Sequence, residues 1–299
     1  MTQFEGLTLL ECIQDLSARF EDAELFYGHG TDNAWDEAIY LSFSLLKVSF
    51  DVDDSVGQRI LTREELEQIN ALAKRRIEEH VPVAYLVEEA WFAGLSFKVD
   101  KRVLVPRSPL GEMIQNRFEP LLTIAPKRIL DLCTGSGCIG IATAIAFPEA
   151  KVELADISVD ALALAAENIE RHQLAERVQA IESDLFEKLN PRYELIVSNP
   201  PYVSADEIAQ LPPEYRHEPE LGLFSEEEGL AIPIQILREA EHYLSDGGIL
   251  LMEVGYSWEA LAARLPGVPF LWLEFESGGE GVCALTKQQL IDSRELLAN

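Results

Sequence analysis

Cationic side chains are scarce in this sequence: 24 Lys and Arg stand against 52 Asp and Glu in 299 residues, a formal net charge of −28. Such a surface repels free nucleic acid, whose binding energy comes largely from neutralised phosphates, so direct sequence-specific nucleic-acid binding is not expected. The same charge attracts a basic protein and speeds its encounter, and it serves solubility equally well. Cysteine is scarce too. Cys12, Cys133, Cys138 and Cys283 have neither the spacing of a zinc site nor the density of a disulfide scaffold. No metal is therefore expected, and the four read as small packing residues in a reducing compartment. No apolar run approaches the roughly 18 residues that span a bilayer, which argues against a membrane protein. The start, Met1-Thr2-Gln3-Phe4-Glu5, lacks the basic region of a signal peptide, so a cytoplasmic location is expected. Internal repeats and low-complexity tracts are missing as well.

What is present centres on Asn199-Pro200-Pro201-Tyr202. It follows an apolar run, Tyr193 to Val197, that reads as a buried strand of a parallel sheet. Two prolines end that strand, because neither can donate to a ladder. Pro200 also pushes Asn199 out of the helical region. The turn thus presents an amide, bare carbonyls and a phenol ring. An Asn side-chain oxygen and a proline carbonyl are both acceptors and can together grip an NH2 group. A neighbouring aromatic face packs on a flat π-system and favours positive charge developing there. The stretch suits a planar –NH2, an amide or the exocyclic amine of a base, although a capped proline turn would also look like this.

Three regions precede and contain it. Residues 1–82 read as a helical substrate-recognition domain: Leu7, Leu10, Ile13, Leu16 and Phe20 recur at helical spacing, as do Ala38, Leu41, Leu45 and Val48. A third helix opens at Thr62 with Glu65 three residues on, a capping-box pattern, and stops near His80 before Pro82. Residues 83–110 read as a β-hairpin linker, with β-like runs at Tyr85-Leu86, Trp91-Phe92, Leu95–Phe97 and Val103–Val105. It ends in the proline-braced turn Pro106-Arg107-Ser108-Pro109. Arg107 suits either an ion pair or the pocket.

Residues 111–299 alternate strand and helix. Arg128–Cys133 is a continuous apolar strand, followed by the turn Thr134-Gly135-Ser136-Gly137 and a helix from Ile139 to Ala146. Strand, glycine turn and helix make the first unit of a Rossmann-like, doubly wound α/β sheet. Glycine allows a ligand to approach the backbone, and the helix N-terminus offers NH donors; this much fits a nicotinamide dinucleotide too. The second strand, Val152–Ala155, closes on Asp156, some twenty residues after Gly135, where a carboxylate can accept from both hydroxyls of a ribose. Asp184, just past the third strand, Val178–Ile181, is placed to accept from an adenine amine. Ala205 to Leu223 is a proline-stiffened segment carrying His217, Glu218 and Pro219. A helix over Ile232–Leu244 ends at Asp246-Gly247-Gly248; a fifth strand, Ile249–Val254, and a terminal pair, Phe270–Phe275 with Val282–Thr286, close the sheet.

Asp131-Leu132-Cys133-Thr134-Gly135-Ser136-Gly137, Asp156, Asp184 and Asn199-Pro200-Pro201-Tyr202, in this order, resemble the class I S-adenosylmethionine-dependent methyltransferases. More narrowly they resemble the protein-(glutamine-N5) methyltransferases, across the whole chain. That resemblance implies S-adenosyl-L-methionine as cofactor, held by Asp131, Thr134, Gly135, Gly137, Asp156, Ile157, Asp184, Leu185 and Asn199. It implies catalysis by Asn199, Pro200 and Tyr202, with Pro201, Glu218 and Pro219 shaping a glutamine pocket. Of the family's two close branches, one acts on peptide release factors and one on a basic large-subunit ribosomal protein. Cys133 in place of the first branch's glycine, the Pro106–Pro109 turn in place of an acidic run, and Cys138 point to the ribosomal-protein branch. Gly111 stands where a less flexible residue is expected. A release-factor substrate, a nucleic-acid adenine amine and a non-catalytic binding module remain as alternatives.

Overall fold

The structure, a computed structural model, describes residues 6–122, 124–190, 192–276 and 278–298; the acidic start Met1–Glu5 lies outside them. Three helices form the N-terminal layer: α1 (Leu9–Asp22), α2 (Ala34–Leu46) and α3 (Arg63–Glu79). Thr8 with Glu11 and Thr62 with Glu65 close capping boxes, so two orphan N-terminal donors are satisfied at each start. In α1 the buried stripe is Leu9, Cys12, Ile13, Leu16 and Phe20; Leu7, expected on it, precedes the helix and is exposed. At its far end α3 stops where His80 turns left-handed, at φ 55°.

The linker departs from expectation in two places. Tyr85 and Leu86 are not extended but lie in a short helix, α4 (Val83–Val87), because both amides donate to the Pro82 carbonyl. The hairpin itself is present, as β1 (Glu89–Phe92) and β2 (Leu95–Lys98), antiparallel. Ala93 and Gly94 join them with φ of 49° and 80°, the two positive values a tight two-residue loop requires. Val103–Val105 is irregular rather than a strand; Val103 and Val105 are buried, and the Val105 amide donates to the Glu218 carboxylate. Next comes α5 (Leu110–Gln115). Gly111 has a packing reason: a Cβ there would lie 3.3 Å from the Phe92 ring, at the hairpin tip.

The sheet follows: β3 (Arg128–Leu132), α6 (Cys138–Ala146), β4 (Lys151–Asp156), α7 (Val159–Arg171), β5 (Val178–Glu182) and β6 (Tyr193–Ser198). After β6 run α8 (Ala205–Ile208), a 3-10 turn (Pro213–His217), α9 (Glu220–Leu223), α10 (Ala231–Tyr243) and β7 (Leu244–Glu253). Then come α11 (Trp258–Arg264), β8 (Leu271–Trp272), β9 (Val282–Thr286), α12 (Lys287–Asp292) and α13 (Arg294–Leu297). The strand order is β5-β4-β3-β6-β7-β9-β8. The first five are mutually parallel, and β9 runs antiparallel to its neighbours β7 and β8, which is the expected class I methyltransferase fold. Alternation sorts neighbouring residues to opposite faces: Ile129, Leu195, Val197 and Leu251 join one core; Leu130, Ile196 and Leu250 join the other. A third core unites the N-terminal helices with Val99, Val103 and Val105 and with Ala161 and Leu164 of α7.

Two strand ends differ from the sequence reading. Asp246-Gly247-Gly248 does not end α10 but bulges within β7, where the register jumps from Tyr193–Leu244 to Leu195–Ile249. The strand therefore starts earlier than Ile249 and stops before Val254. The pair at the carboxyl end is shorter than expected on its first strand, and α12 and α13 follow it, unread in the sequence. No helix among the described residues is long and apolar enough to cross a membrane.

Gly140 lets α6 lie against the sheet. A Cβ there would fall 2.2 Å from Leu154 Cδ2 and 2.8 Å from Asp131 Cβ. Gly140→Ala should therefore cost about 1–3 kcal/mol of unfolding free energy through overpacking, measured by urea titration.

Candidate active site

Chain order reverses direction in the sheet between β3 and β6, and the crevice beyond their carboxyl ends is where open α/β sheets bind ligands. The Ser198 hydroxyl donates to the Leu132 carbonyl at 2.7 Å and ties the two strand ends together. Past Leu132, Cys133 adopts φ 59°, a left-handed turn that glycine takes without cost and cysteine does not. Asp131, fully buried, accepts from Thr134 Oγ1 at 2.5 Å and from the Gly140 amide at 2.8 Å. Burial pushes its carboxyl up to about 7, against those two hydrogen bonds. Asp131 does not line the cavity described next; it braces the loop from beneath.

One cavity of ≈ 570 Å³ opens there. Thr134, Gly135, Asp156, Ile157, Asp184, Leu185, Asn199, Pro200, Pro201, Tyr202 and Pro219 all line it. Gly135, at φ 55°, donates to Asp156 Oδ2 at 2.8 Å, and a Cβ on it would meet nothing within 4 Å. Its open side leaves room for a ligand against bare backbone. Gly137 differs: it is absent from the cavity wall, and a Cβ there would press Ile141 and Leu154 at 3.1 Å. It packs at the N-cap of α6. Asp156 Oδ1 accepts from the Ser158 amide at 2.9 Å. Burial raises its pKa, and backbone donors oppose the rise. Each oxygen keeps a lone pair for a further donor.

On the opposite lip, the Asn199 side chain makes no hydrogen bond among the described residues, so its oxygen and nitrogen remain available. The Tyr202 carbonyl accepts from Ser257 Oγ at 3.0 Å. A Cβ on Gly255 would lie 2.8 Å from the Tyr202 hydroxyl, so that glycine lets the ring seat against the end of β7. Burial, then the nearby Glu253, raise the phenol pKa and keep it neutral. Glu253 is itself buried, accepts from the Ser108 hydroxyl, and is pushed up to about 7 by burial. Nothing in the sequence marked Glu253 or Gly255, since their importance comes from what the fold places beside them.

Arg107 resolves as an ion pair that also faces the cavity. Its two terminal nitrogens meet Glu218 Oε1 and Oε2, both at 2.6 Å, and its guanidinium lies 5.1 Å from the Tyr215 ring centroid. Glu218 is buried, with its pKa lowered to about 2: burial opposes ionisation, and Arg107, then His29, outweigh it. It does not line the cavity; its carboxylate holds Arg107, which does. His217 also stays off the cavity wall and points to the Glu79 carbonyl at 2.7 Å. The sequence reading missed Leu104, Leu211, Tyr215, Leu221 and Tyr256, which also line the wall. Tyr256 is 84% exposed, with no local signal in the sequence. No group of three or more His, Cys, Asp or Glu suited to a metal ion occurs among the described residues.

Comparison with known proteins adds to this geometry. Residues 114–211 match the family model described as Methyltransferase small domain. A protein of Francisella tularensis subsp. tularensis named ribosomal protein uL3 glutamine methyltransferase is 44% identical over 275 residues, 91% of this chain and 87% of its own. A protein of Xanthomonas campestris pv. campestris with the same name is 49% identical over 286 residues, 95% and 92% of the two chains. Among solved structures, the hMettl16 catalytic domain in complex with a MAT2A 3'UTR hairpin superposes with TM-score 0.52 at 16% identity, covering 83% of this chain and 89% of that one. That likeness is one of fold.

Glu253 sets a pH dependence of stability. Its folded-state pKa of about 7 lies above the ordinary 4.5, so the folded protein keeps a proton that the unfolded chain releases. Its contribution is full below pH 4.5 and is lost as pH rises toward 7. Asp131, raised in the same direction, adds to the slope. Glu253→Gln should flatten, without abolishing, the decline in unfolding free energy across this window, measured by chemical denaturation at several pH values.

Proposed function

The chain belongs to the family of ribosomal protein uL3 glutamine methyltransferases, and from that premise we propose that it transfers a methyl group from S-adenosyl-L-methionine to the side-chain amide nitrogen of a glutamine in ribosomal protein uL3. The observation that carries this reading is an alignment that spans 91% and 95% of the chain at 44% and 49% identity. The net charge of −28 suits a basic protein substrate and disfavours a phosphate backbone.

The residues present fit the cofactor. Gly135 has an open Cβ side, and Asp156 keeps acceptor capacity at the end of β4, where ribose hydroxyls would donate. Thr134, Ile157, Asp184, Leu185 and Asn199 would complete its walls, with Asp184 toward the adenine amine. When bound, S-adenosylmethionine supplies an electrophilic methyl group on a sulfonium.

The protein's own task is to present a poor nucleophile. An amide nitrogen shares its lone pair with its carbonyl, so it must be held in line and relieved of developing charge. Asn199 Oδ1 and the Pro200 carbonyl would each accept one NH2 hydrogen, fixing the nitrogen's direction and stabilising the positive charge that builds on it. Tyr202, neutral and seated against Gly255, would pack on the amide plane. Pro201 and Pro219 bound the slot. No strong base is needed, because the nitrogen's proton becomes acidic only once the new bond forms.

Two measurements check this. Labelled S-adenosylmethionine, added with this protein to an extract lacking its gene, should label one band at the mass of uL3, on a glutamine amide; label in release factors or nucleic acid would overturn the substrate. Asn199→Ala should cut turnover by about 100-fold, a far larger effect than its loss of cofactor affinity. Unchanged turnover would remove Asn199 from its proposed role.

A further inference from the structure

We propose that the N-terminal helices hold one wall of the cavity in shape through Arg76, a positioning residue that never reaches the cavity; this rests on the reading above that the cavity takes a protein glutamine. The wall is the segment 205–223, which contributes Leu211, Tyr215, Pro219 and Leu221. Its 3-10 turn carries Tyr215 into the cavity, with the ring 5.1 Å from Arg107 on one side. Two residues of the loop between α1 and α2 touch the same ring: His29, edge-on at 4.7 Å, and Phe26, at 5.8 Å.

The backbone flanking Tyr215 is tied to the helical layer, before it and after it. Glu214 is fully buried; its Oε1 accepts from Arg76 at 2.8 Å and from the Phe26 amide at 3.0 Å, with His80 Nδ1 at 3.4 Å. His217 Nε2 reaches the Glu79 carbonyl at 2.7 Å. Arg76, 1% exposed, is the hub: besides Glu214 it donates to Glu37 Oε2 at 3.1 Å and to the Phe26 carbonyl at 2.8 Å. One planar guanidinium therefore fixes α2, the loop bearing Phe26 and His29, and the turn bearing Tyr215 in a single geometry. A buried ion cluster is weak evidence for stability, since apolar packing serves that end as well. What it supplies is direction, and here the direction it sets is that of a cavity wall. Lysine, a point charge, cannot span three acceptors arranged for a fork.

The test compares wild type and Arg76→Lys as full chains, measuring kcat and KM with uL3, cofactor dissociation constant and melting temperature. Misplacing a pocket wall by a fraction of an ångström predicts a fall in kcat/KM for uL3 of about tenfold, with cofactor affinity within about twofold. A folded Arg76→Lys with wild-type kcat/KM overturns the proposal, whatever its melting temperature. Should that variant not fold, His217→Ala, which removes only the half-exposed tether, should lower kcat/KM by about threefold with cofactor affinity intact; wild-type kinetics there overturn the proposal equally. A wild-type protein that does not methylate uL3 would sink the proposed substrate and not the wall geometry.

Discussion

The reversal of strand order between β3 and β6 is the constraint on which the rest of the structure depends. Helices depart to opposite faces from these two strands, so no crossover covers their carboxyl ends and a crevice must open there. The Ser198 hydroxyl on the Leu132 carbonyl locks the strand ends at that place. From β3 comes a loop with one glycine open to the cavity, and from β6 comes a proline turn with an uncommitted amide. Neither could serve alone: the first has no group to orient an amine, and the second has nowhere to seat a donor. Their meeting is a consequence of sheet topology.

Buried polar groups divide the labour around that crevice. Asp131 and Glu253 are carboxylates held in apolar surroundings, braced by hydroxyls and an amide, and both rise toward neutrality. They brace the loop after β3 and the end of β7 without placing a full negative charge beside the cavity. Glu218 follows the opposite course, because a bidentate arginine compensates its burial and holds it ionised. Near-identical side chains thus take different protonation states from their neighbours alone, as desolvation and pairing compete.

The N-terminal helices are more than an appendage. They share a core with α7, and through Glu214 and His217 they hold the turn carrying Tyr215. The same segment that follows the Asn-Pro-Pro-Tyr turn in the chain is supported by residues more than a hundred positions earlier, such as Arg76. A cavity wall anchored in another layer takes its geometry from that layer.

Much of this was legible in one dimension. The Thr62–Glu65 capping box announced the start of α3, unbroken apolar runs the parallel strands, and glycine, aspartate and the proline turn the sheet edge where the cavity opens, because each of these signals is local. The failures were non-local. Tyr85 and Leu86 have strand-like side chains but follow a proline that starts a helical turn, and Asp246-Gly247-Gly248 has the composition of a terminator but is absorbed as a bulge beside β6. Asp131, Gly137 and Glu218 sat in or beside the right motifs, yet only packing placed them behind the cavity wall. Glu253, Tyr215, Tyr256 and Arg76 carried no sequence mark at all, since a side chain acquires such a role from partners distant in the chain. The sequence by itself determined the elements, the glycine-and-aspartate edge of the sheet and the proline turn, through backbone chemistry confined to a few neighbouring residues. Which side chains face the cavity, which stay charged, and which layer holds its wall were decided by tertiary structure, because burial and pairing exist only once distant segments meet.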